Sequence, residues 1–277
     1  GVLEARGAAL TGMVVHAPNG ARIHGEFVAG HGFRGFRDRG LGIRREVLDL
    51  VLLDRARAAG VTVLEGAKVD GLTWSGDAPR RGTVTGALVR TAAGVVPVRA
   101  PVVVGADGLR SVVARALGVV HRSRWPRRVA LVCRYRGVAD VGPLGEMHVT
   151  PDGYVGLASV GDDLTNVALV VPARRTAGLR GDATGFLERW LRDHPALGPR
   201  FAAATRVTPV RVTGPFASRA RQPGAPGAFL TGDAADFFDP FTGEGIYAAL
   251  CGGELLAPFA GAAVAAARAG DRRALAG

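Results

Sequence analysis

The chain has 277 residues, 48% of them hydrophobic, enough to bury one large core or two smaller ones. It contains no uninterrupted apolar run of about 18 residues, the length a membrane-spanning helix needs, and no charged-then-apolar leader. Its net charge of +11 does not make it a nucleic-acid binder, because Lys68 is the only lysine, the arginines come in ones and twos, and aromatic residues are only 6%. The expectation is a protein without a transmembrane segment, with membrane-surface association left open. Cys133 and Cys251 show no pairing or metal spacing, which fits a reducing cytoplasm. No two histidines fall at metal-ligand spacing, so no metal is expected.

In chain order, VLEARGAAL (2–10) reads as the tail of a helix. MVVHA (13–17) and ARIHGEF (21–27) flank Pro18-Asn19-Gly20, a hairpin turn. A polar, glycine-rich stretch, GHGFRGFRDRG (30–40), follows. RREVLDLVLLDRARAAG (44–60) places Val47, Leu48, Val51, Leu52 and Ala59 at helical spacing, with Gly60 as its C-terminal cap. VTVLEGAKVDGL (61–72) reads as a strand with a glycine interruption. TVTGALVRT (83–91) and GVVPVRA (94–100) form a second hairpin around Ala92-Ala93-Gly94. PVVVGADGLRSVVARALG (101–118) is a short strand, a turn and a helix, and a strand apolar throughout is one buried on both faces.

From about residue 122 the texture changes. RVALVCRYRGV (128–138), GEMHVTPDGYVGLASV (145–160) and TNVALVV (165–171) alternate as strands of an antiparallel sheet do. FLERWLRDHPAL (186–197) is a helix ended by His194-Pro195, and ATRVTPVRV (204–212) is a short strand. RQPGAPG (221–227) then loops into the apolar strand AFLTGD (228–233). LLAPFAGAAVAAARAGDRRALAG (255–277) is an alanine-rich helical pattern without a stop signal. With a helix-like opening and no initiator methionine, the chain reads as a fragment of a longer protein.

Two segments carry chemistry, each an apolar strand that ends in a Gly/Asp turn and enters a helix. In the first, Asp107 and Gly108 lie at the strand's carboxyl end and Ser111 near the helix start. Open α/β sheets bind ligands there, and free helix N–H groups attract phosphate or sugar oxygens. A plain Asp-Gly turn with a capping serine explains the same residues. In AFLTGDAADFFDPFTGEGIYAAL (228–250), Asp233 ends the strand and Pro240 shapes a long loop. Gly243 and Gly245 let backbone approach a ligand that a side chain would block. A helix starts near Ile246, its positive end aimed at whatever lies there.

In this order and spacing the two segments resemble the later fingerprints of FAD-dependent oxidoreductases of the para-hydroxybenzoate hydroxylase superfamily. GADGLRSVVARALG matches the second. TGDAADFFDPFTGEGIYAAL matches the third, and its Pro-x-Thr-Gly-Glu-Gly-Ile form is most similar to the geranylgeranyl reductase branch. The resemblance implies an α/β fold: an FAD-binding, glutathione reductase-like domain with an antiparallel-sheet substrate domain, truncated at both ends. The FAD-binding domain would comprise residues 43–121 and 216–277, and the substrate domain residues 1–42 and 122–215. The family's first fingerprint, a Gly-x-Gly-x-x-Gly turn on the pyrophosphate, would lie upstream of Gly1.

The resemblance also implies cofactor contacts. Asp233 would hydrogen-bond the ribityl or ribose–phosphate portion of FAD, and the backbone of Gly245 and Ile246 would face the pyrimidine edge of the isoalloxazine. Arg45 matches an Arg-x-x-(Phe/Leu)-Asp position that contacts FAD, Val69 a position whose backbone meets the adenine, and Asp107 the aspartate of the second fingerprint. No side chain is expected to act as nucleophile or general base, because the flavin does the redox chemistry. Reduced nicotinamide, NADH or NADPH, is the expected electron donor.

Departures leave the substrate open, an apolar or aromatic small molecule being the expectation. Asp236 stands where many hydroxylases of the family carry His. Tyr154-Val155-Gly156-Leu157-Ala158-Ser159 lacks the Trp and Phe-Pro of the reductases' Tyr-x-Trp-x-Phe-Pro, and the halogenases' Trp-x-Trp-x-Ile-Pro is missing. Two other readings compete with an FAD-dependent reductase or monooxygenase. A basic nucleic-acid binder would show a salt-sensitive shift with DNA and no yellow colour. A cofactor-free remnant would survive only as a binding module.

Overall fold

The computed structural model describes residues 2–27, 37–76, 82–125, 127–179 and 181–270. Most of the glycine-rich stretch 30–40, and the end of the alanine-rich segment at 271–277, lie outside the described residues. The α-helices described are α1 (Arg45–Ala58), α2 (Val112–Leu117), α3 (Ala183–Asp193), α4 (Gly198–Phe201) and α5 (Gly245–Arg268). The chain divides into two compact units, residues 1–63 with 128–215 and residues 64–127 with 216–277.

The first unit is built on an eight-stranded sheet. Arg128–Arg136, Leu164–Pro172, Gly153–Ser159 and Leu144–Thr150 pair antiparallel in that order. Gly12–His16 joins Leu144–Thr150 in parallel, and Arg22–Glu26 closes that side as its hairpin partner. The sheet is therefore mixed at one junction. Alternation along each strand sends Leu131, Cys133, Tyr135, Val155, Leu157, Val167, Leu169 and Val171 to one face, where Leu187 and Leu191 of α3 and Leu197 bury them. Each such aliphatic side chain contributes about 1.5–3 kcal/mol of transfer free energy. Burial pushes the Cys133 thiol up to about 12, which leaves it an unreactive core group. The segment 204–212 is two short strands rather than one, Thr205–Arg206 and Arg211–Thr213, both against Arg128–Arg136. Between them the Arg134 N–H donates to the Thr208 hydroxyl at 2.8 Å, which satisfies a ladder position the neighbouring Pro209 interrupts.

The opening segment is no helix tail. After a 3-10 turn at Glu4–Arg6, Gly7 is extended and Ala8–Leu10 pairs with Gly40–Gly42. A few helical residues alone would be unstable, whereas a partner strand satisfies the same backbone groups.

The second unit holds three small sheets. Val103–Gly105 and Ala228–Leu230 run parallel, with Gly224–Ala225 beyond. Lys68–Trp74, Val84–Thr91 and Gly94–Arg99 form an antiparallel meander. Val120–Arg122, Ser218–Ala220 and Asp236–Phe237 form the third. Their core joins Leu72, Val84, Ala228, Leu230 and Ala234 to Val113, Ala114 and Leu117 of α2. The strand expected from Val61 begins only at Lys68. No described strand pairs with 61–67, and Val61 and Leu64 are exposed.

Helix α5 buries none of its residues and presents Ile246, Tyr247, Leu250, Leu255 and Phe259 outward. With a mean hydropathy of 1.5 over 18 residues it is long and apolar enough to cross a membrane. Glu254 and Pro258 interrupt its apolar run. The measure is one of length and composition only, which core helices of water-soluble proteins also meet.

Candidate functional site

The parallel pairing aligns Gly105 with Leu230, so the two Gly/Asp turns leave the sheet side by side at the carboxyl ends of adjacent strands. Their acidic residues then do different things. Asp107 Oδ2 accepts from the N–H groups of Val112 at 2.6 Å and Val113 at 3.3 Å. Ser111 Oγ accepts from the Ala114 N–H at 2.8 Å. Between them they satisfy the first turn of α2.

Asp233 sits half-buried in the 3-10 turn Gly232–Ala234. A Cβ placed on Gly245, the first residue of α5, would lie 3.9 Å from Asp233 Oδ1 and meet nothing else within 4 Å. The loop between them is shaped by Asp239, whose Oδ1 accepts from the Phe241 N–H at 3.1 Å across Pro240. No side chain caps α5, and its first loop-anchored backbone bond runs from the Ala248 N–H to the Glu244 carbonyl at 2.9 Å. Among the described residues, no acceptor takes the N–H groups of Gly245, Ile246 or Tyr247. Among the described residues, the 24-residue helix thus opens with three N–H donors that no acceptor takes, and its positive end lies beside the Asp233 carboxylate.

Two further features shape this corner. The Thr231 hydroxyl is buried without a hydrogen-bond partner among the described residues. A Cβ on Gly252 would come within 2.6 Å of that hydroxyl oxygen, so α5 crosses the strand end at a distance only glycine permits. Tyr247 is exposed, and its hydrogen bond to Cys251 one turn along raises the phenol above its ordinary value. Thr231, Gly252 and the Tyr247 N–H were not legible as site groups, because nothing in spacing or composition marks them.

The remaining predicted residues belong to other elements. Val69 is a half-buried strand residue paired with Val89, at a register shift before Gly71. Arg45 opens α1 in the other unit. Its Nε is 2.9 Å from Asp49 Oδ1 and its side chain is 63% exposed. Beside it, Arg44 pairs with Asp162 at 2.7 Å, and Glu46 receives both nitrogens of Arg134 at 2.6 and 2.7 Å. Hydrogen bonding from Arg134 holds the Glu46 carboxyl down at about 2.

A separate polar cluster lies on the α3 side of the large sheet. His16, Glu146 and His148, from neighbouring strands, bring possible metal-ligand atoms within 4.8 Å of one another, a grouping that sequence spacing could not show. The geometry is that of a closed network. The His16 and His148 rings stack 4.3 Å apart with planes 2° from parallel. Lone pairs in parallel planes do not converge on one ion. Glu146 is already gripped by Arg200 at 2.6 and 2.8 Å and by His148 Nε2 at 2.9 Å. Despite its burial, these partners lower the Glu146 carboxyl to about 2.

The FAD binding domain family model matches residues 39–252. The chain belongs to that family. Among curated proteins it is similar to digeranylgeranylglycerophospholipid reductase of Methanosarcina acetivorans, 27% identical over 90% of this chain and 58% of that one. It is also similar to digeranylgeranylglycerophospholipid reductase 2 of Methanopyrus kandleri, 30% identical over 91% of this chain and 60% of that one. The chain thus spans about three fifths of the length of these relatives. Among solved structures, the flavin-dependent halogenase CmlS superposes with a TM-score of 0.81 at 26% identity, covering 98% of this chain and 49% of that one. A geranylgeranyl bacteriochlorophyll reductase-like protein of Thermoplasma acidophilum gives 0.77 at 23% identity, over 97% and 65%, a likeness of fold. The expected α/β flavoprotein fold and the reductase-like branch both hold.

The residues of the second unit fit FAD. Three open N–H donors at a helix N-terminus suit its electron-rich oxygens, an orphaned threonine hydroxyl lies one residue before the Gly232-Asp233 turn, and Gly245 leaves a clear approach.

Proposed function

We propose that the whole protein is an FAD-dependent oxidoreductase, a reductase or monooxygenase, that acts on an apolar small molecule with electrons from NADH, NADPH or another donor. The observation that carries this reading is the open N-terminus of α5 beside Asp233, where a helix of 24 residues presents unengaged N–H groups across a side-chain-free Gly245. FAD, when bound, supplies the two-electron chemistry. This chain's own residues bind and orient it. The α5 N–H groups and dipole would favour negative charge at the isoalloxazine edge by roughly 0.3–2 kcal/mol. Asp233 would take a ribityl or ribose hydroxyl, Val69 would meet the adenine through its backbone, and Arg45 would supply a cation. Asp107 serves by capping α2 and so holding the neighbouring turn.

Reduction of an apolar double bond is favoured over oxygenation by the character of the curated relatives, which are reductases of geranylgeranyl lipids by name. Two free thiols support a reducing, cytoplasmic setting. The test is the absorption spectrum of the natural full-length protein, followed by anaerobic addition of NADH or NADPH and then a prenyl lipid. A flavin spectrum, bleached by the donor and restored by the lipid without oxygen, is expected. Restoration only when oxygen is admitted, with an oxygenated or halogenated product, would overturn the reductase assignment, and a colourless protein would overturn the whole reading.

A further inference from the structure

Resting on that reading, we propose that Arg134 is a positioning residue for the cofactor, its two-pronged grip on Glu46 fixing the start of α1 and hence the direction of Arg45. The argument begins with three consecutive residues. Arg44, immediately before α1, is tied to Asp162 in the turn between two strands of the large sheet. Glu46 is tied to Arg134 in the middle of the strand Arg128–Arg136. Arg45 stands between two residues pinned to the same sheet. Neighbouring helical residues point about 100° apart, so it cannot follow Glu46 toward that anchor. It runs along its own helix to Asp49 instead and stays mostly exposed.

Arg134 is suited to the task by where it leaves the sheet. Cys133 and Tyr135 on either side enter the core beneath α3, so Arg134 emerges from the opposite face. Its side chain is only 18% exposed, and its backbone N–H is held by Thr208. A half-buried guanidinium on a strand whose backbone is held is a fixed point against which a helix start can be set. The two-nitrogen contact fixes orientation as well as distance, which a lysine ammonium cannot do. Glu46 sits in the first turn, where its charge also complements the helix dipole. Its carboxyl is held at about 2, so the clamp stays charged throughout the neutral range.

The test uses the natural full-length protein stripped of FAD and titrated with FAD by fluorescence quenching, alongside the thermal midpoint of the flavin-free form. Arg134→Ala and Arg134→Lys should each weaken FAD binding roughly fivefold, the upper range for a partly exposed ion pair, with the midpoint little changed. Arg45→Ala should weaken it at least as much. Combining Arg134→Ala with Arg45→Ala should add nothing further, because one residue acts through the other. The exchange Glu46→Arg with Arg134→Glu should recover most of the loss. Wild-type affinity in Arg134→Lys and Arg134→Ala overturns the proposal, as do additive losses, failure of the exchange to rescue, or an inert Arg45→Ala. A wild-type protein that takes up no FAD overturns the flavoprotein reading and the positioning role with it.

Discussion

Two segments of the second unit share one sequence pattern and end in opposite states. Both leave a parallel strand through a Gly/Asp turn and enter a helix, and the strands lie next to each other. In the first, Asp107 and Ser111 spend their oxygens on the opening turn of α2, a helix of six residues. In the second, residues 234–244 separate Asp233 from α5, and among the described residues no side-chain hydrogen bond caps the helix start. Gly-Asp before a helix thus marks a place where helix N–H groups are available, and the length of the connection decides what takes them. A short connection lets the aspartate take them. A long one, held off by Asp239 and Pro240, leaves them for something else.

The largest expected effect is at Gly245. A side chain there meets only Asp233 Oδ1, at 3.9 Å, so the fold tolerates it while the open approach is lost. Gly245→Val in the full-length protein should remove bound flavin, with the thermal midpoint of the flavin-free protein unchanged. Retained yellow colour and turnover would show that nothing approaches that backbone. Next comes Asp233→Ala, expected to weaken FAD retention by about tenfold, in the range of a charged hydrogen bond. Asp236→Ala should barely register, because Asp236 is exposed on the far side of the turn, in the two-residue strand paired with Ser218 and Arg219. Equal flavin content in the two purified variants would remove Asp233 from the site.

Asp107→Ala tests the other half of the comparison. Loss of an N-terminal cap costs about 1–2 kcal/mol, and two N–H groups lose their acceptor here. The unfolding free energy from denaturant titration should fall by that amount, and flavin affinity should fall less than in Asp233→Ala. A variant of wild-type stability that has lost its flavin would make Asp107 a direct cofactor residue and erase the contrast between the turns.

How much of this was legible follows from where the information resides. Strands that alternate over seven to nine residues, such as Arg128–Arg136 and Leu164–Pro172, declare themselves because one face is buried. Segments whose state depends on a partner do not. Ala8–Leu10 reads as helical from its own residues and is a strand because Gly40–Gly42 pairs with it, and 61–67 begins with strand-forming residues but has no described strand beside it. The candidate site divides in the same way. Asp233, Gly245 and Ile246 were readable from one contiguous motif. Thr231 and Gly252 matter through a contact between a strand end and a helix, and the grip of Arg134 on Glu46 spans 88 positions of sequence.

The smallest expected effect is also the most discriminating. Thr231, just after the second strand, has a buried hydroxyl with no partner among the described residues, pressed against α5 where Gly252 leaves room for it. A buried, unsatisfied polar group costs about 1–3 kcal/mol, and replacing it by an apolar group of the same shape relieves that cost. Thr231→Val keeps the branched shape and removes only the hydroxyl. If the open turn exists for a cofactor, the flavin-free variant should be as stable as wild type or up to about 1 kcal/mol more so, while its FAD affinity falls two- to fivefold, the scale of one neutral hydrogen bond. Opposite signs for stability and affinity are what a group kept for a ligand produces. Denaturant midpoints of the flavin-free proteins and FAD titrations measure both. If stability falls and affinity holds, the hydroxyl serves the fold, and the second turn is as closed upon itself as the first.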